Sequence, residues 1–461
     1  MTDPALRDEP PAPALAPAPA ALAPAPLPED TPAGHAPADV APARHTSADV
    51  APAGDRPSDV PPVGPDTAPL GRGLLLLMAV ATGLSCAGNY FAQPLLDLIR
   101  SELNVSTAVA GLVVTAGQAG YALGLLALIP LGDVLDRRRL AVTLFSATAG
   151  FLALTALATS GALLLAGTVL TALTSVGAQV VVAHAAALAT PADRGRVVAT
   201  VMSGLLLGGL LARTAAGGLA ELGGWQTVYW VNAVLMAGMA ALLHRHLPRL
   251  RPTAALGYPA LLRSTFTLLR QERLLRWRTA VGACSMASYS VQLTAVTFVL
   301  AGPGYAWSEA TIGLFGLVGV VGVLTMKLAG RLGDTGSVHQ VTGVALVLLV
   351  AAWLTLLPGA GSLGWLVVGI VALNVAQQAV LNSSQTILYA LRPEARNRIN
   401  SAFMTGYFVG GAAGSALASV VWVHAGWRGA CTLGATLAAA STLLWLAERL
   451  GPRAPKLPSG A

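Results

Sequence analysis

Apolar stretches long enough to cross a lipid bilayer recur along most of this sequence. Each continues for about 20 residues, the length that a helix needs to span a hydrocarbon core of about 30 Å. Only 11% of the residues are charged and 54% are hydrophobic, whereas soluble globular proteins carry about 25% charged residues. So little charge cannot cover a water-exposed surface. We therefore predict an all-α membrane protein, because a membrane β-barrel would show short alternating segments instead.

Twelve transmembrane helices are predicted, in two sets of six. The first set covers residues 73–96, 107–131, 139–159, 162–189, 196–220 and 227–243. The second set covers residues 279–301, 310–332, 339–357, 364–391, 399–423 and 430–447. This pattern defines one bundle at 71–244 and another at 279–448, which are joined by a linker at 245–278.

The segments outside the bundles have a different composition. Residues 1–70 are rich in Pro and Ala and too poor in large apolar residues to offset the entropy of ordering, so we predict a disordered tail. A second short tail covers 449–461. Within the linker, "YPALLRSTFTLLRQERLLRWR" (258–278) alternates apolar residues with Arg and predicts an amphipathic helix at the lipid interface. No signal peptide is recognisable, so the first span is expected to act as an uncleaved anchor.

The distribution of Lys and Arg predicts the orientation, since cytoplasmic loops carry the excess of both. One side of the predicted topology receives Arg137, Arg138 and Arg139 together with nearly all other basic residues, whereas the other side receives Arg100 and Arg428. Both termini and the linker are therefore expected in the cytoplasm. The net charge of +7 reflects this topology, so no nucleic-acid partner is expected.

An internal repeat links the two sets of spans. "PADRGRVVATVMSGLLLGG" (191–209) and "PEARNRINSAFMTGYFVGG" (393–411) agree at Pro, Arg, Met and Gly positions, and one constant offset relates them. The same offset pairs further residues in other spans: Gly111/Gly313, Gly167/Gly369, Gly224/Gly426 and Trp225/Trp427. The chain is therefore expected to contain two pseudo-symmetric copies of one six-helix bundle.

Each copy also carries a Gly-x-x-x-Asp signature after its second span: "GDVLDRR" (132–138) and "GRLGDTG" (330–336). With the topology above, these motifs resemble the major facilitator superfamily, and the resemblance covers roughly residues 73–448. It implies alternating access, in which two bundles rock about a binding site near the middle of the membrane. The chain is then expected in the inner (plasma) membrane of a bacterium, as a monomer.

The resemblance implies a charge network that closes the cytoplasmic side. The residues that match this gate are Gly132, Asp133, Asp136, Arg137 and Arg139 in the first copy, and Gly330 and Asp334 in the second. Either Asp133 or Asp136 is the acidic member. The alternative is that these charges only fix the topology of a helix end.

The stretches "NYFAQPLLDLI" (89–99), "AGLVVTAGQAGYALGLL" (110–126) and "LLARTAAGG" (210–218) resemble the branch of drug and sugar exporters, which includes drug:proton antiporters. Export of small organic molecules follows from this resemblance. The sequence departs from the branch where Leu173 replaces an Arg of the fourth helix, and where Gly209 replaces a Pro of the fifth. Gly204, Gly208, Gly406 and Gly410 are expected to let helices pack closely.

Polar residues within the spans are the candidates for binding a substrate or a coupling ion. Arg213 is foremost, since a charge in lipid is costly and its repeat counterpart is Ser415. Asn89, Tyr90 or Asp97 would be its partner. The remaining candidates are Gln93, Gln118, Tyr121, Tyr289, Gln292, Gln378 and Asn382. Hydrogen bonding between helices is an equal alternative for these residues.

Proton coupling would need a titratable group, but the predicted spans place no carboxylate at mid-depth. Asp97, Asp133 or His184 would have to serve. The three cysteines, Cys86, Cys284 and Cys431, have no metal-site spacing, and no phosphate-binding loop is present. We therefore expect neither metal, cofactor nor enzymatic activity. The alternatives left open are an uncoupled or symporting sugar or metabolite facilitator, and a transporter-like sensor that signals through its tail.

Overall fold

The computed structural model of the protein describes residues 71–190, 192–250, 257–319, 338–392 and 395–451. Within these ranges the structure is helical and contains no strand. The helices of the first half are α1 (Arg72–Ala87), α2 (Leu96–Glu102), α3 (Thr107–Ala127), α4 (Leu131–Val134), α5 (Arg137–Ala156), α6 (Gly161–Thr174), α7 (Gly177–Leu188) and α8 (Arg194–His246). Those that follow are α9 (Tyr258–Gln271), α10 (Arg273–Ala301), α11 (Glu309–Phe315), α12 (Val338–Leu356), α13 (Leu363–Leu391) and α14 (Arg396–Leu450).

Capping side chains set several of the helix starts. Ser106 accepts a hydrogen bond from the Val109 N–H before α3, and Ser160 accepts one from the Leu163 N–H before α6. Asp136 does the same for the Arg138 N–H before α5. Each cap satisfies one of the backbone donors that a helix N-terminus leaves without a partner. The loops between consecutive spans can therefore be short.

In the described parts of the chain, eight helical segments are long and apolar enough to cross a membrane, and α1 and residues Glu309–Val318 are shorter apolar helices. Two of the eight, α8 and α14, are much longer than one crossing. Each is interrupted at a glycine with positive φ, Gly224 (φ 76°) and Gly426 (φ 54°). These glycines are counterparts in the sequence repeat, and the buried Trp225 and Trp427 follow them. The repeat therefore places the same chain reversal in both halves.

We expect Gly426→Ala to destabilise the protein by about 1–3 kcal/mol, because a backbone with φ 54° and ψ −145° is accessible only to glycine. No atom lies within 4 Å of a Cβ at this position, so the cost would come from the backbone alone. Thermal unfolding in detergent measures it. Gly361→Ala is the matched control, since Gly361 also has open space around it but a negative φ of −116°. Equal melting temperatures of the two variants would show that the positive φ at Gly426 does not require glycine.

Two predicted spans are interrupted in the structure. The first was predicted as one helix over 73–96, but α1 ends at Ala87 and turns occupy residues 88–95. Pro94 lacks an N–H and its ring clashes with a helical backbone one turn earlier, which explains the break before α2. Asn89 and Gln93 therefore do not share a helix face. The fourth span, predicted over 162–189, consists of α6 and α7 with a break at Ser175 and Val176.

The glycines predicted to pack helices all lie at contacts within one half. A Cβ at Gly204 would lie 2.1 Å from the Ala79 carbonyl oxygen, and one at Gly208 would lie 2.2 Å from that of Gly83. In the second half, a Cβ at Gly410 would lie 2.2 Å from the Ala283 oxygen, whereas one at Gly406 would meet the Thr279 side chain. Helix α8 is thus fixed against α1, and α14 against α10.

Each half packs around its own apolar core. With the exception of Phe298, the buried residues of the largest cluster lie between Met78 and Leu247. Three further clusters lie between Leu268 and Ala438. The linker contains α9, which buries Leu261, Thr265 and Leu268.

Candidate functional site

A small cavity lies between the two halves. The first half contributes Gln93, Pro94 and Arg213, and the second half contributes Tyr289, Gln292, Leu293, Val296, Thr297, Phe315, Gly316, Ile370 and Asn374. Its volume of about 40 Å³ is enough for a few water molecules. Pockets for drug-sized ligands usually enclose about 300–1,000 Å³. The cavity, as the described residues enclose it, must therefore enlarge to admit such a solute.

Arg213 is the charged member of this lining. Its guanidinium carbon lies 5.1 Å from the centre of the Tyr90 ring, which is a cation–π distance. Its stem lies against Gly316, where a Cβ would be 3.1 Å from the Arg213 Cδ. Its Nε is buried and has no hydrogen-bond partner in the part of the chain that the structure describes. Of the three partners considered from the sequence, Tyr90 makes this contact, and Asp97 instead pairs with Arg100 at 2.9 Å.

The second half lines the cavity with neutral polar groups. The Tyr289 hydroxyl donates to the Asn374 Oδ1 at 3.1 Å, and the Asn374 amide donates to the Ile370 carbonyl at 2.8 Å. The Gln292 Oε1 is buried without a partner among the described residues. The described residues of the lining include neither a carboxylate nor a Lys, so their one charge is the positive charge of Arg213.

Other predicted candidates lie elsewhere. The Gln118 amide donates to Ser290 Oγ across the two halves at 3.0 Å. Tyr121 accepts a weak hydrogen bond from Gln179 at 3.4 Å and packs edge-on against Phe408. Asn89 lines a separate small cavity of about 10 Å³ within the first half. Gln378 and Asn382 lie on α13 beyond Asn374 but are not part of this lining.

The two halves touch closely beside the cavity, near the Thr107 end of α3. A Cβ at Gly217 would lie 2.3 Å from the Glu309 carbonyl oxygen, and the Thr214 hydroxyl donates to the Gly313 carbonyl at 3.1 Å. A Cβ at Gly111 would lie 2.0 Å from Ser419 Oγ. Glycine therefore brings α8 against α11, and α3 against α14, at this end.

The halves also meet at the opposite end of α3. The Ser401 hydroxyl donates to the Leu125 carbonyl at 2.8 Å, and the Tyr258 hydroxyl donates to the Ala127 carbonyl at 2.8 Å. Helix α14 thus follows α3 over most of its length. The described residues therefore bring the two halves into contact near both ends of α3.

The predicted gate residues of the first half form a local network at α4 and α5. Arg137 pairs with Asp133 at 3.3 Å and donates to the carbonyl of Gly132 at 3.0 Å and to that of Ala183 at 3.3 Å. Asp136 instead caps α5. Between the two acids, the structure therefore assigns the ion pair to Asp133. Arg139 is exposed, and Gly330 and Asp334 lie outside the described residues.

Among the described residues, Gly132 makes no close helix contact. A Cβ there would lie 3.7 Å from a Leu140 methyl group, which is an ordinary contact. Close helix packing does not require glycine at this position, because α4 is a single turn and its neighbour α5 approaches through a side chain. The Gly132 carbonyl contributes instead as an acceptor for Arg137.

Sequence reasoning missed several parts of the site. Phe315 and Gly316 line the cavity, and neither was a candidate from the sequence. The pairing of Gly111 with Gly313 in the repeat was the available signal for the contact between halves, since both glycines meet a helix of the other half. No pattern in the sequence singled out Phe315. Among the described residues, no group of three or more His, Cys, Asp or Glu side chains could hold a metal ion.

Comparison with known proteins identifies the family. The sequence profile of the Major Facilitator Superfamily matches residues 78–341 and 281–461. The uncharacterized transporter YgaY of Escherichia coli O157:H7 is 48% identical over 372 residues, which cover 81% of this chain and 94% of the relative. The chain therefore belongs to the Major Facilitator Superfamily and is an integral membrane transporter of that type.

Two further proteins are similar at lower identity. A chloramphenicol resistance protein of Streptomyces lividans is 29% identical over 283 residues, covering 60% of this chain and 71% of the relative. The crystal structure of the human organic anion transporter MFSD10 (TETRAN) superposes with a TM-score of 0.63 at 20% identity, over 82% of this chain and 100% of that chain. The second likeness shows the fold alone.

Proposed function

We propose that this protein is a twelve-helix secondary transporter that exports small organic molecules by alternating access. The observation that carries the proposal is the polar cavity lined by both halves, with Arg213 on one side and Tyr289, Gln292 and Asn374 on the other. A site shared by two bundles can change its exposure when one bundle rocks against the other. The eight long apolar segments, the two glycine breaks and the two shorter apolar helices support twelve spans.

The surroundings of the protein are part of the same proposal. The excess of Lys and Arg in one set of loops supports an inner-membrane protein with both termini in the cytoplasm. Its partners are membrane lipid and a small-molecule substrate, and it works as a monomer. The family resemblance and the relative named for chloramphenicol resistance support export as the direction.

Exchange for protons is the proposed energy source. Asp97 and Asp133 are each paired with an arginine. His184 is fully buried, and neither ring nitrogen makes a hydrogen bond of acceptable geometry, although the Pro248 backbone lies beside the ring. His184 also adjoins Ala183, whose carbonyl accepts from Arg137. A proton on its imidazole would repel Arg137 and weaken that contact.

A solute screen on everted membrane vesicles tests the proposal. The panel comprises chloramphenicol, glucose, benzenesulfonate, benzenesulfonamide and benzyltrimethylammonium, each with and without an imposed pH gradient. We expect accumulation of at least one solute that depends on the gradient and is lost in His184→Gln. Entry of a solute up to equal concentrations on both sides, without any dependence on the pH gradient, would favour the uncoupled facilitator. Vesicles that accumulate nothing beyond empty-vector vesicles would refute the transporter proposal.

A wedge at the contact between halves should block transport without unfolding either half. In Gly217→Leu the new side chain would collide with the Glu309 carbonyl, which lies 2.3 Å from a Cβ at this position. An overpacking penalty of about 1–3 kcal/mol would lower the population closed at this end by roughly 5- to 150-fold. Solute counterflow in proteoliposomes should fall accordingly.

Gly218→Leu is the matched control for this wedge. Gly218 is the next residue, is exposed, and has no atom within 4 Å of a Cβ. We expect its counterflow to match that of the unaltered protein. Unchanged counterflow in Gly217→Leu would show that the halves do not need to close at this contact.

A further inference from the structure

The partners of the half-buried Arg213 differ from those of the buried Arg278. Arg278 is fully buried and lies 2.8 Å from the Glu448 carboxylate, with further contacts to Thr342 and His339. Arg213 lines the cavity and has no ion pair among the described residues, where the acids in ion pairs are Asp97, Asp133, Glu272 and Glu448. An arginine remains charged in proteins, so an unpaired one in a membrane bundle calls for an anion.

Aromatic contact does not replace that anion. The Tyr90 ring faces the guanidinium from one side and contributes about 0.5–2 kcal/mol, but it accepts no hydrogen bond in the guanidinium plane. Within the described ranges, the Nε donor of Arg213 remains buried without a hydrogen-bond acceptor. A carboxylate, phosphate or sulfonate supplies two acceptor oxygens in the geometry of the guanidinium fork.

The surrounding packing positions the side chain for such a role. Its stem runs over Gly316, and a Cβ at Gly209 would lie 3.1 Å from the Tyr90 ring, so two glycines make room for the Tyr90–Arg213 stack. The repeat counterpart, Ser415, is buried and shares a hydrogen bond of 2.9 Å with Thr294. The shared architecture of the two halves is therefore satisfied by a small hydroxyl, and the charge at 213 is an addition of the first half alone.

We propose that the cavity binds organic anions and that the Arg213 guanidinium binds their anionic group, an inference that rests on the transporter function proposed above. Gln292 and Tyr289 on the opposite wall face the polar end of the ligand. Leu293, Val296 and Phe315 contact its apolar part. With a lining charge of +1, a monoanion with an apolar body is the matching solute class.

Calorimetric binding to the purified full-length protein tests this inference with three probes of one shape: benzenesulfonate, benzenesulfonamide and benzyltrimethylammonium. We expect the sulfonate to bind most tightly. Arg213→Gln should weaken sulfonate binding by roughly 10- to 100-fold, the range for a lost charge-assisted hydrogen bond, and should change sulfonamide binding little. Arg213→Lys should retain part of the affinity for the sulfonate because it keeps the charge.

Arg428→Gln is the control, since Arg428 is exposed and its removal subtracts one positive charge without touching the cavity. The Arg428→Gln variant should bind the three probes with the same affinities as the unaltered protein. Thermal melting of each variant reports its folding. The inference is overturned if the sulfonamide or the cation binds as tightly as the sulfonate, or if Arg213→Gln binds the sulfonate normally. Counterflow in proteoliposomes is a separate readout: anion-selective binding without counterflow of any probe would refute the transport function and leave the anion site standing.

Discussion

Gly208→Ala is expected to cost the protein several kcal/mol and most of its folded yield, although it adds a single methyl group. That methyl carbon would lie 2.2 Å from the Gly83 carbonyl oxygen and 2.3 Å from the Gly83 Cα. Both are backbone atoms, so no side chain can rotate away, and α8 would have to separate from α1 along its length. Overpacking in a core costs about 1–3 kcal/mol when side chains can adjust, and the cost here should reach or exceed the top of that range.

The effect is measurable as the melting temperature and the monodisperse fraction after extraction in detergent. Gly238→Ala is the matched control in the same helix, because Gly238 is exposed and has no atom within 4 Å of a Cβ. It should be neutral or stabilising by about 0.5–1 kcal/mol, the usual helical preference for Ala over Gly. If Gly208→Ala and Gly238→Ala have the same melting temperature, the contact between α8 and α1 is not the reason for glycine at 208.

Glu448→Gln should destabilise the second half by about 3–5 kcal/mol, since it leaves the buried Arg278 guanidinium without a counter-charge. The Arg278 side chain is 0% exposed and that of Glu448 is 8% exposed, with the charged atoms 2.8 Å apart. The pair joins the start of α10 to the last turn of α14. Its loss should therefore loosen the contact between the first and last helices of this half.

A double-mutant cycle separates the value of the pair from the cost of one unpaired charge. We expect Arg278→Met with Glu448→Leu to be less destabilised than Glu448→Leu alone, because the double replacement removes both charges. Thermal unfolding in detergent gives all corners of the cycle. The control is Asp97→Asn, whose pair with Arg100 is 39–40% exposed and should contribute only about 0–1 kcal/mol. If Glu448→Gln and Asp97→Asn lowered the stability equally, burial would not be what makes the Arg278–Glu448 pair more important than the exposed pair.

Arg213 and Ser415 occupy equivalent positions of the repeat, but only Arg213 carries a charge. The two halves therefore contribute differently to the cavity. The glycine breaks, the buried tryptophans and the helix contacts recur in both halves. The charge in the cavity comes from the first half, whereas most of the other lining residues come from the second. A ligand that contacts both sides would therefore link them electrostatically, and its release would remove that link.

The sequence by itself determined the membrane class and the glycines at helix contacts, and its internal repeat predicts a duplicated bundle. Hydrocarbon excludes charge and unpaired backbone groups, so a spanning helix must appear as a long apolar run whatever its neighbours are. Gly224 and Gly426 could be paired from the repeat alone. The shared positive φ then followed from the same backbone requirement in both copies.

Only the tertiary structure decided which side chains meet. Arg213 contacts Tyr90 and not Asp97, and Asp133 pairs with Arg137 while Asp136 caps a helix. Gln93, a candidate from the sequence, lines the cavity from the turns at 88–95 and not from the continuous helix that was predicted there. An apolar run fixes that a helix spans the membrane, but not its rotation or depth relative to helices distant in the sequence. Those two quantities are set by packing, and they determine the partner of every polar group.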